Sequence, residues 1–273
     1  MRSVLRALIS GYDYLVLYLG LAFLGILCIA WSLIALIVYP LLPERKGRAL
    51  GRYVTMVAFR FFLAGLSLSR RFSFDLDALD YLRDQSPLII APNHPCMLDA
   101  VMIISRLPNV ACVLKAELMN NFFLGLGARL ARYIRNEPVR TMVRLATRDF
   151  KCDSQLLLFP EGTRTTAPTI NPLQGSVGLI SHYAQVPVQT ILIETNSKYL
   201  SKGWPLFRKP PMPIHYRVRL GRRFDPPQNT QEFKRELEHY FAQELTKDAA
   251  IYPHDTAHLK IDRAPSLTSR SPS

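Results

Sequence analysis

The sequence predicts a mixed, mostly parallel α/β sheet flanked by helices and preceded by an N-terminal membrane-embedded helical pair. Three observations carry this expectation. From Arg71 onward, short β-rich runs alternate with helical patterns, the arrangement that builds α/β domains. Before it, the stretch YLVLYLGLAFLGILCIAWSLIALIVYPLLP runs uncharged from Tyr14 to Pro43. As a helix it would reach ~45 Å, against a hydrocarbon core of ~30 Å. The 273 residues suffice for one core of roughly 200 residues plus an appendage. The chain therefore divides into an N-terminal membrane-associated segment (1–70), an α/β domain (71–249) and a poorly packed tail (250–273).

The N-terminal stretch is about twice as long as the ~7–15-residue apolar region of a cleaved signal peptide, so it should be retained. Tyr12, Tyr14 and Tyr18 at one end, and Trp31 and Tyr39 towards the other, suit interfacial aromatics. Pro40 and Pro43 should close the helix, because proline lacks the amide that would continue it. The next segment, YVTMVAFRFFLAGLSLS at 53–69, carries Arg60 near its middle. At the bilayer centre an arginine costs roughly 2.5–3.5 kcal/mol, so this segment should not cross. Glu44, Arg45, Lys46, Arg48 and Arg52 lie between the two segments, and Arg70 and Arg71 follow the second. Two arrangements stay open: a helical pair dipping into one leaflet, and a single span by 14–42 with 44–52 in the cytoplasm by the positive-inside rule. A buried soluble hairpin is disfavoured, since so long an unbroken apolar run rarely occurs in a soluble core.

In the α/β region the strand candidates are 72–76, 88–92, 110–115, 156–159, 188–194 and 215–220, with helical patterns at 98–107, 119–131, 138–151, 175–184 and 229–247. Hydrophobic residues make up 49% of the chain, which excludes a disordered polymer. Lys+Arg exceed Asp+Glu by 34 − 21 = 13, which calls for an anionic partner, either nucleic acid or an anionic lipid surface. Cys28, Cys96, Cys112 and Cys152 show neither paired spacing nor an accompanying His cluster, so neither a disulfide scaffold nor a structural zinc site is expected.

Two loops place reaction-capable residues directly after an apolar strand, where open α/β sheets bind their ligands. In Asn93-His94-Pro95-Cys96-Met97-Leu98-Asp99, a separation of five would turn His94 and Asp99 ~140° apart on a continuous helix. His94 should therefore lie in the loop, folded back over a helix that Asp99 begins. A carboxylate on one ring nitrogen raises the basicity of the other and favours the imidazolium formed when a hydroxyl is deprotonated. The plainer alternative is that Asp99 caps the helix and His94 is an ordinary loop residue. No nucleophile-elbow serine or cysteine is present, so general-base activation is a better expectation than covalent catalysis. In Phe159-Pro160-Glu161-Gly162-Thr163-Arg164, Gly162 permits a tight turn and Arg164 offers a planar fork for phosphate oxygens. Glu161 would orient that arginine or bond a substrate hydroxyl; the alternative is a turn with a solvated Glu–Arg pair.

A His-x4-Asp motif followed about sixty residues later by Phe-Pro-Glu-Gly-Thr-Arg, behind an apolar helical pair, resembles the lysophospholipid acyltransferase family, which includes 1-acyl-glycerol-3-phosphate acyltransferases. Between the motifs, Lys115-Ala116-Glu117-Leu118 and, after Gly125 and Gly127, Tyr133-Ile134-Arg135 match the family's second motif, and Val186-Pro187-Val188 the start of its fourth. The resemblance implies a glycerol-phosphate-acyltransferase-like fold, with His94 as general base, Asp99 as its partner, and Glu161, Gly162, Thr163, Arg164, Arg135 and Lys115 at the acceptor site. It implies an acyl-CoA or acyl-ACP co-substrate, so that acyl carrier protein is a possible partner, together with a lysophospholipid acceptor, no metal and no bound cofactor. It places the enzyme in a membrane, with the catalytic domain on the cytoplasmic face and, in a bacterium, on the inner membrane. Members acting on lysophosphatidate commonly carry Gln-Ser where this chain has Pro95-Cys96, a second proline where Thr190 stands, and a basic residue where Gln174 precedes Gly175. These departures leave the base in place and leave the acceptor open between lysophosphatidate and another lipid, a lyso-aminolipid or a hydroxylated lipid. From another class, the alternative is a non-catalytic membrane-binding protein.

Arg140, Arg144 and Arg148 form a helical stripe that suits an anionic membrane surface or a merely solvated face. In HYRVRL the arginines alternate with apolar residues, as in a half-buried strand. No helix-turn-helix, RNP or zinc-finger pattern supports nucleic-acid binding.

Overall fold

The computed structural model describes residues 2–251, the side chains of 2, 122–124 and 248–251 excepted. Most of the expected tail therefore lies outside the described residues. Two helices, α1 (Arg2–Val38) and α2 (Glu44–Leu68), lead into β1 (Phe72–Asp75), a 3-10 turn (Asp77–Leu82), β2 (Leu88–Pro92), α3 (Asp99–Ile104), β3 (Val110–Leu114), α4 (Ala116–Asn120), α5 (Phe122–Leu130) and β4 (Ile134–Arg135). They are followed by α6 (Val139–Phe150), β5 (Gln155–Leu157), α7 (Ser176–Ala184), β6 (Val188–Thr195), β7 (Ile214–Phe224) and α8 (Thr230–Ile251). The seven strands form one sheet in the order β1-β7-β6-β2-β5-β3-β4. Every neighbouring pair is parallel except β6 with β7.

The sheet is covered on both faces, which is why its central strands read as unbroken apolar runs: all five residues of β2 are buried. Leu88 and Ile90 face a core shared with α1, α2, α3 and α5, whereas Ile89 and Ala91 face one built with α6, α7 and α8. Val16, Leu17, Phe62, Leu63 and Leu66 belong to the first core, so residues 1–70 pack as part of the sheet domain.

Both N-terminal helices are long and apolar enough to cross a membrane. Yet α1 begins well before the uncharged stretch and touches the sheet domain along its length. Near its start, Asp13 is 5% exposed and accepts the Arg71 guanidinium at 2.6 Å, with Lys209 at 3.5 Å. In its middle, Val16 and Leu17 join Leu98, Phe72 and Tyr199. Further on, Gly127 makes room for the Trp31 indole, since a Cβ there would lie 2.6 Å from the ring. At its end, Arg132 donates to the Tyr39 hydroxyl at 2.9 Å.

The basic run expected between the two segments instead forms the first turns of α2. Pro43, at φ −55°, presets the entry, and Glu44 stands in the first turn, where a carboxylate favours the helix dipole. Arg52 is 1% exposed. It grips Asp149 through Nη2 at 3.0 and 2.8 Å, donates to Asn109 at 2.8 Å and reaches the Ala131 carbonyl at 3.1 Å. Gly51 lets α2 approach this closely, because a Cβ there would stand 2.5 Å from the Ala131 nitrogen.

Sequence periodicity also missed β4, too short to show a period of two, and the 3-10 turn. It joined α4 to α5, which are separate because Asn121 is extended at ψ 129°. Arg52→Met should remove about 3 kcal/mol of stability, because it strips a buried carboxylate of its bidentate partner. Urea unfolding of the full chain in detergent measures this; a loss under about 1 kcal/mol would show that Arg48 and Ser154 suffice for Asp149.

Candidate active site

The parallel strands β2, β3, β4 and β5 present their C-terminal ends on one edge, and the loops that follow carry the expected residues. Asn93 ends β2 with a side-chain clamp: Nδ2 donates to the Ile193 carbonyl at 3.0 Å, and Oδ1 accepts the Ile193 N–H at 2.7 Å. The amide thereby extends the pairing of β2 with β6 and fixes where the next residue, His94, leaves the sheet.

His94 lies in the loop and Asp99 is the first residue of α3. His94 Nδ1 stands 2.8 Å from Asp99 Oδ2. A carboxylate only accepts, so Nδ1 carries the hydrogen and Nε2 is left with a free lone pair. Asp99 is fully buried, and its carboxylate also accepts the Cys96 N–H at 2.8 Å and the Cys96 thiol at 3.0 Å. Burial, reinforced by the Asp99 charge, pushes the Cys96 thiol well up, so it stays protonated and donates. The His94 ring stacks on Phe159 with centroids 3.8 Å apart and planes 22° from parallel. Its side chain remains 18% exposed, enough for contact with a substrate.

Phe159 opens the second loop. Glu161 is 2% exposed, and both its oxygens are turned inward. Oε1 accepts the His94 N–H at 3.0 Å and the Thr165 hydroxyl at 2.6 Å, while Oε2 accepts the Asn171 N–H at 2.9 Å. The Thr165 N–H returns to the His94 carbonyl at 2.7 Å. Glu161 thus binds the two loops to each other and makes no ion pair with Arg164. Gly162 sits at φ +66°, which an L side chain adopts only with strain, and its N–H closes the turn on the Phe159 carbonyl at 3.0 Å. Thr163 is half-buried, and its hydroxyl makes no hydrogen bond among the described residues. Arg164 Nη1 donates to the carbonyls of Leu200 and Ser201 at 2.9 and 3.0 Å, which aims the guanidinium along the loop after β6. Nε and Nη2 make no hydrogen bond among the described residues.

Lys115 and Arg135 lie on the same edge, farther from the centre of the sheet. Arg135 is in register with Leu114, and exposed Lys115 follows β3 directly. Arg135 stands 3.9 Å from Glu137, and neither cation bonds to the His94 cluster.

Three contributors escaped the sequence reading: Asn93, Cys96 and Asn171. Asn171 Oδ1 accepts the N–H groups of Thr166 and Ala167, and its Nδ2 donates to the Arg164 carbonyl. Asn directly before the motif histidine, at a strand end, was the available signal for the first; Cys96 bonds to the Asp99 carboxylate and Asn171 to main-chain groups, contacts that no pattern announces.

Residues 73–194 match the family model described as Acyltransferase. No curated protein gives a significant match to the sequence. Among solved structures, the fold is similar to that of the 1-acyl-sn-glycerophosphate (LPA) acyltransferase PlsC from Thermotoga maritima, with a TM-score of 0.63, 17% identity, and coverage of 92% of this chain and 98% of that one. At that identity the likeness speaks for the fold: a mostly parallel sheet flanked by helices. Because the family match runs from β1 to β6 and takes in both motif-bearing loops, residues 73–194 form an acyltransferase-type domain and the protein is an acyltransferase.

Proposed function

We propose that the protein transfers a fatty acyl group from a thioester, acyl-CoA or acyl-ACP, to a hydroxyl of a lysophospholipid, foremost lysophosphatidate, giving phosphatidate. The observation that carries this reading is the His94–Asp99 pair, with Nδ1 engaged and Nε2 free at a strand-end edge. The acceptor hydroxyl gives its proton to Nε2 as its oxygen attacks the thioester carbonyl. Asp99 stabilises the imidazolium, and the thiol leaves with that proton as the tetrahedral intermediate collapses. Arg164, with Arg135 and Lys115 on the same edge, holds the acceptor phosphate so that the hydroxyl is aligned. A small apolar cavity of about 20 Å³, lined by Leu17, Leu21 and Leu24 of α1, Phe62 and Leu66 of α2, and Leu98, adjoins the His94 loop; it has room for about one water molecule and not for an acyl chain.

The same helices attach the enzyme to the membrane. Because α1 meets the sheet domain from Asp13 to Tyr39, a crossing by this segment would draw the domain into the hydrocarbon. The pair instead lies against one leaflet, with exposed Leu8, Leu15, Leu19, Ile26, Leu33 and Ile37 inserted.

His94→Ala should abolish thioester turnover, and Asp99→Asn should lower kcat by about 10²–10⁴-fold while the fold is kept; an active His94→Ala enzyme would remove the general-base reading. Arg164→Ala should raise KM for lysophosphatidate by about tenfold or more, the loss of one charge-assisted contact. An unchanged KM, with turnover of a phosphate-free lipid acceptor intact, would move the assignment to that acceptor. Cysteines placed at Ser3 and Arg45 should both react with an impermeant maleimide from the same side of sealed vesicles, read by peptide mapping; labelling from opposite sides would establish a single span.

A further inference from the structure

A second polar cleft lies beside the edge strand β4 and reaches the end of the strands opposite His94. Asp149, on its wall, accepts the hydroxyl of Ser154, the residue before β5. Its partner Arg52 reaches Asn109, the residue before β3. The cleft occupies about 340 Å³ between the turn joining α1 to α2 and the ends of α5 and α6. That is room for about ten water molecules, or for a phosphate with its glycerol.

We propose that this cleft binds the phosphate of an anionic phospholipid headgroup, separately from the acceptor site. Arg48, Arg129, Arg132 and Arg148 line it, against Glu44 and Asp149, so the walls carry an excess of 4 − 2 = 2 positive charges. Asp149 is already gripped by Arg52 from behind, and Arg148 pairs with Glu44 at 3.3 Å. Arg129 and Arg132 have no carboxylate partner among the described residues. Arg132 is instead held with its guanidinium 5.0 Å from the centroid of the Tyr39 ring.

Tyr133 forms part of the wall: it lines the cleft and is 9% exposed, while its hydroxyl is buried beneath the lining.

The lipid source follows from position. Tyr39, on the rim, directly follows the last residue of α1, and Ile37 and Leu41 beside it are exposed. A rim of this composition belongs at headgroup depth. The inference thus rests on the reading of α1 and α2 as seated in the membrane.

The test uses the full chain and vesicles of phosphatidylcholine alone or doped with phosphatidylglycerol. Arg129→Gln/Arg132→Gln should weaken binding to the doped vesicles by about thirtyfold, given the ~1 kcal/mol per basic residue at a charged surface, and leave binding to neutral vesicles unchanged. Arg140→Gln/Arg144→Gln removes the same charge outside the cleft and should have a smaller effect. An equal loss in that control would reduce the cleft to diffuse electrostatics and overturn the proposal. Wild-type protein indifferent to phosphatidylglycerol would also overturn it, and wild-type protein that binds no vesicle would remove the membrane reading as well. Saturable displacement by inorganic phosphate at constant ionic strength would assign the cleft to a soluble phosphoryl compound instead of a lipid. His94-dependent turnover in detergent should be unchanged in the Arg129/Arg132 variant; a raised acceptor KM would join the cleft to the acceptor site and end the claim of separateness.

Discussion

The buried carboxylate of Glu161 is the contact on which the rest of the site depends. It joins the main chain at His94, the hydroxyl of Thr165 and the main chain at Asn171, three points on two loops that follow different strands. Burying an ionised carboxylate costs several kcal/mol, and three charge-assisted hydrogen bonds at ~1.5–3 kcal/mol each offset a cost of that size. The net gain in stability is therefore small. What the arrangement supplies is geometry: the loop bearing the imidazole and the loop bearing Arg164 cannot shift independently. Asn93 plays the matching part on the other flank, where its amide pairs with β6.

That division explains what the sequence could and could not disclose. The sheet was legible because its buried central strands are continuous apolar runs, and β2 starts and ends where the pattern Leu88–Pro92 does. The loop position of His94 was legible as geometry, because a separation of five excludes one helical face, whereas its pairing with Asp99 was implied only by the resemblance. The contacts of Glu161 were not, since an acidic residue in a turn looks the same whether it is solvated or engaged by distant amides. The extent of α1 was hidden for a similar reason. Asp13 looks like the charged boundary of an apolar segment until Arg71 and Lys209 close around it from 58 and 196 residues away. Arg52 read as one cation in a basic run, and only the fold brings Asp149 to it.

The two N-terminal helices and the reactive loops are parts of one packing unit. Leu98 lies in the core shared with Val16, Leu17, Phe62 and Leu66, and the residue after Leu98 is Asp99. Packing against α1 and α2 therefore fixes the start of α3, and with it the carboxylate that orients His94. A loss of contact between the helical pair and the sheet would reach the imidazole through a single peptide unit.

Under the proposed reaction this coupling has a direct chemical consequence. The acceptor is amphipathic: its hydroxyl must reach Nε2 while its chain stays out of water. The apolar space between α1, α2 and Leu98 adjoins the loop that carries the imidazole, and the arginine of the second loop is tied to the carbonyls of Leu200 and Ser201, with Leu200 lining that same space. Under that reaction hydroxyl and phosphate are met by two loops whose relative positions depend on Leu98, Glu161 and Leu200. The packing of the helical pair on Leu98 and Leu200 then contributes to alignment at the reacting oxygen.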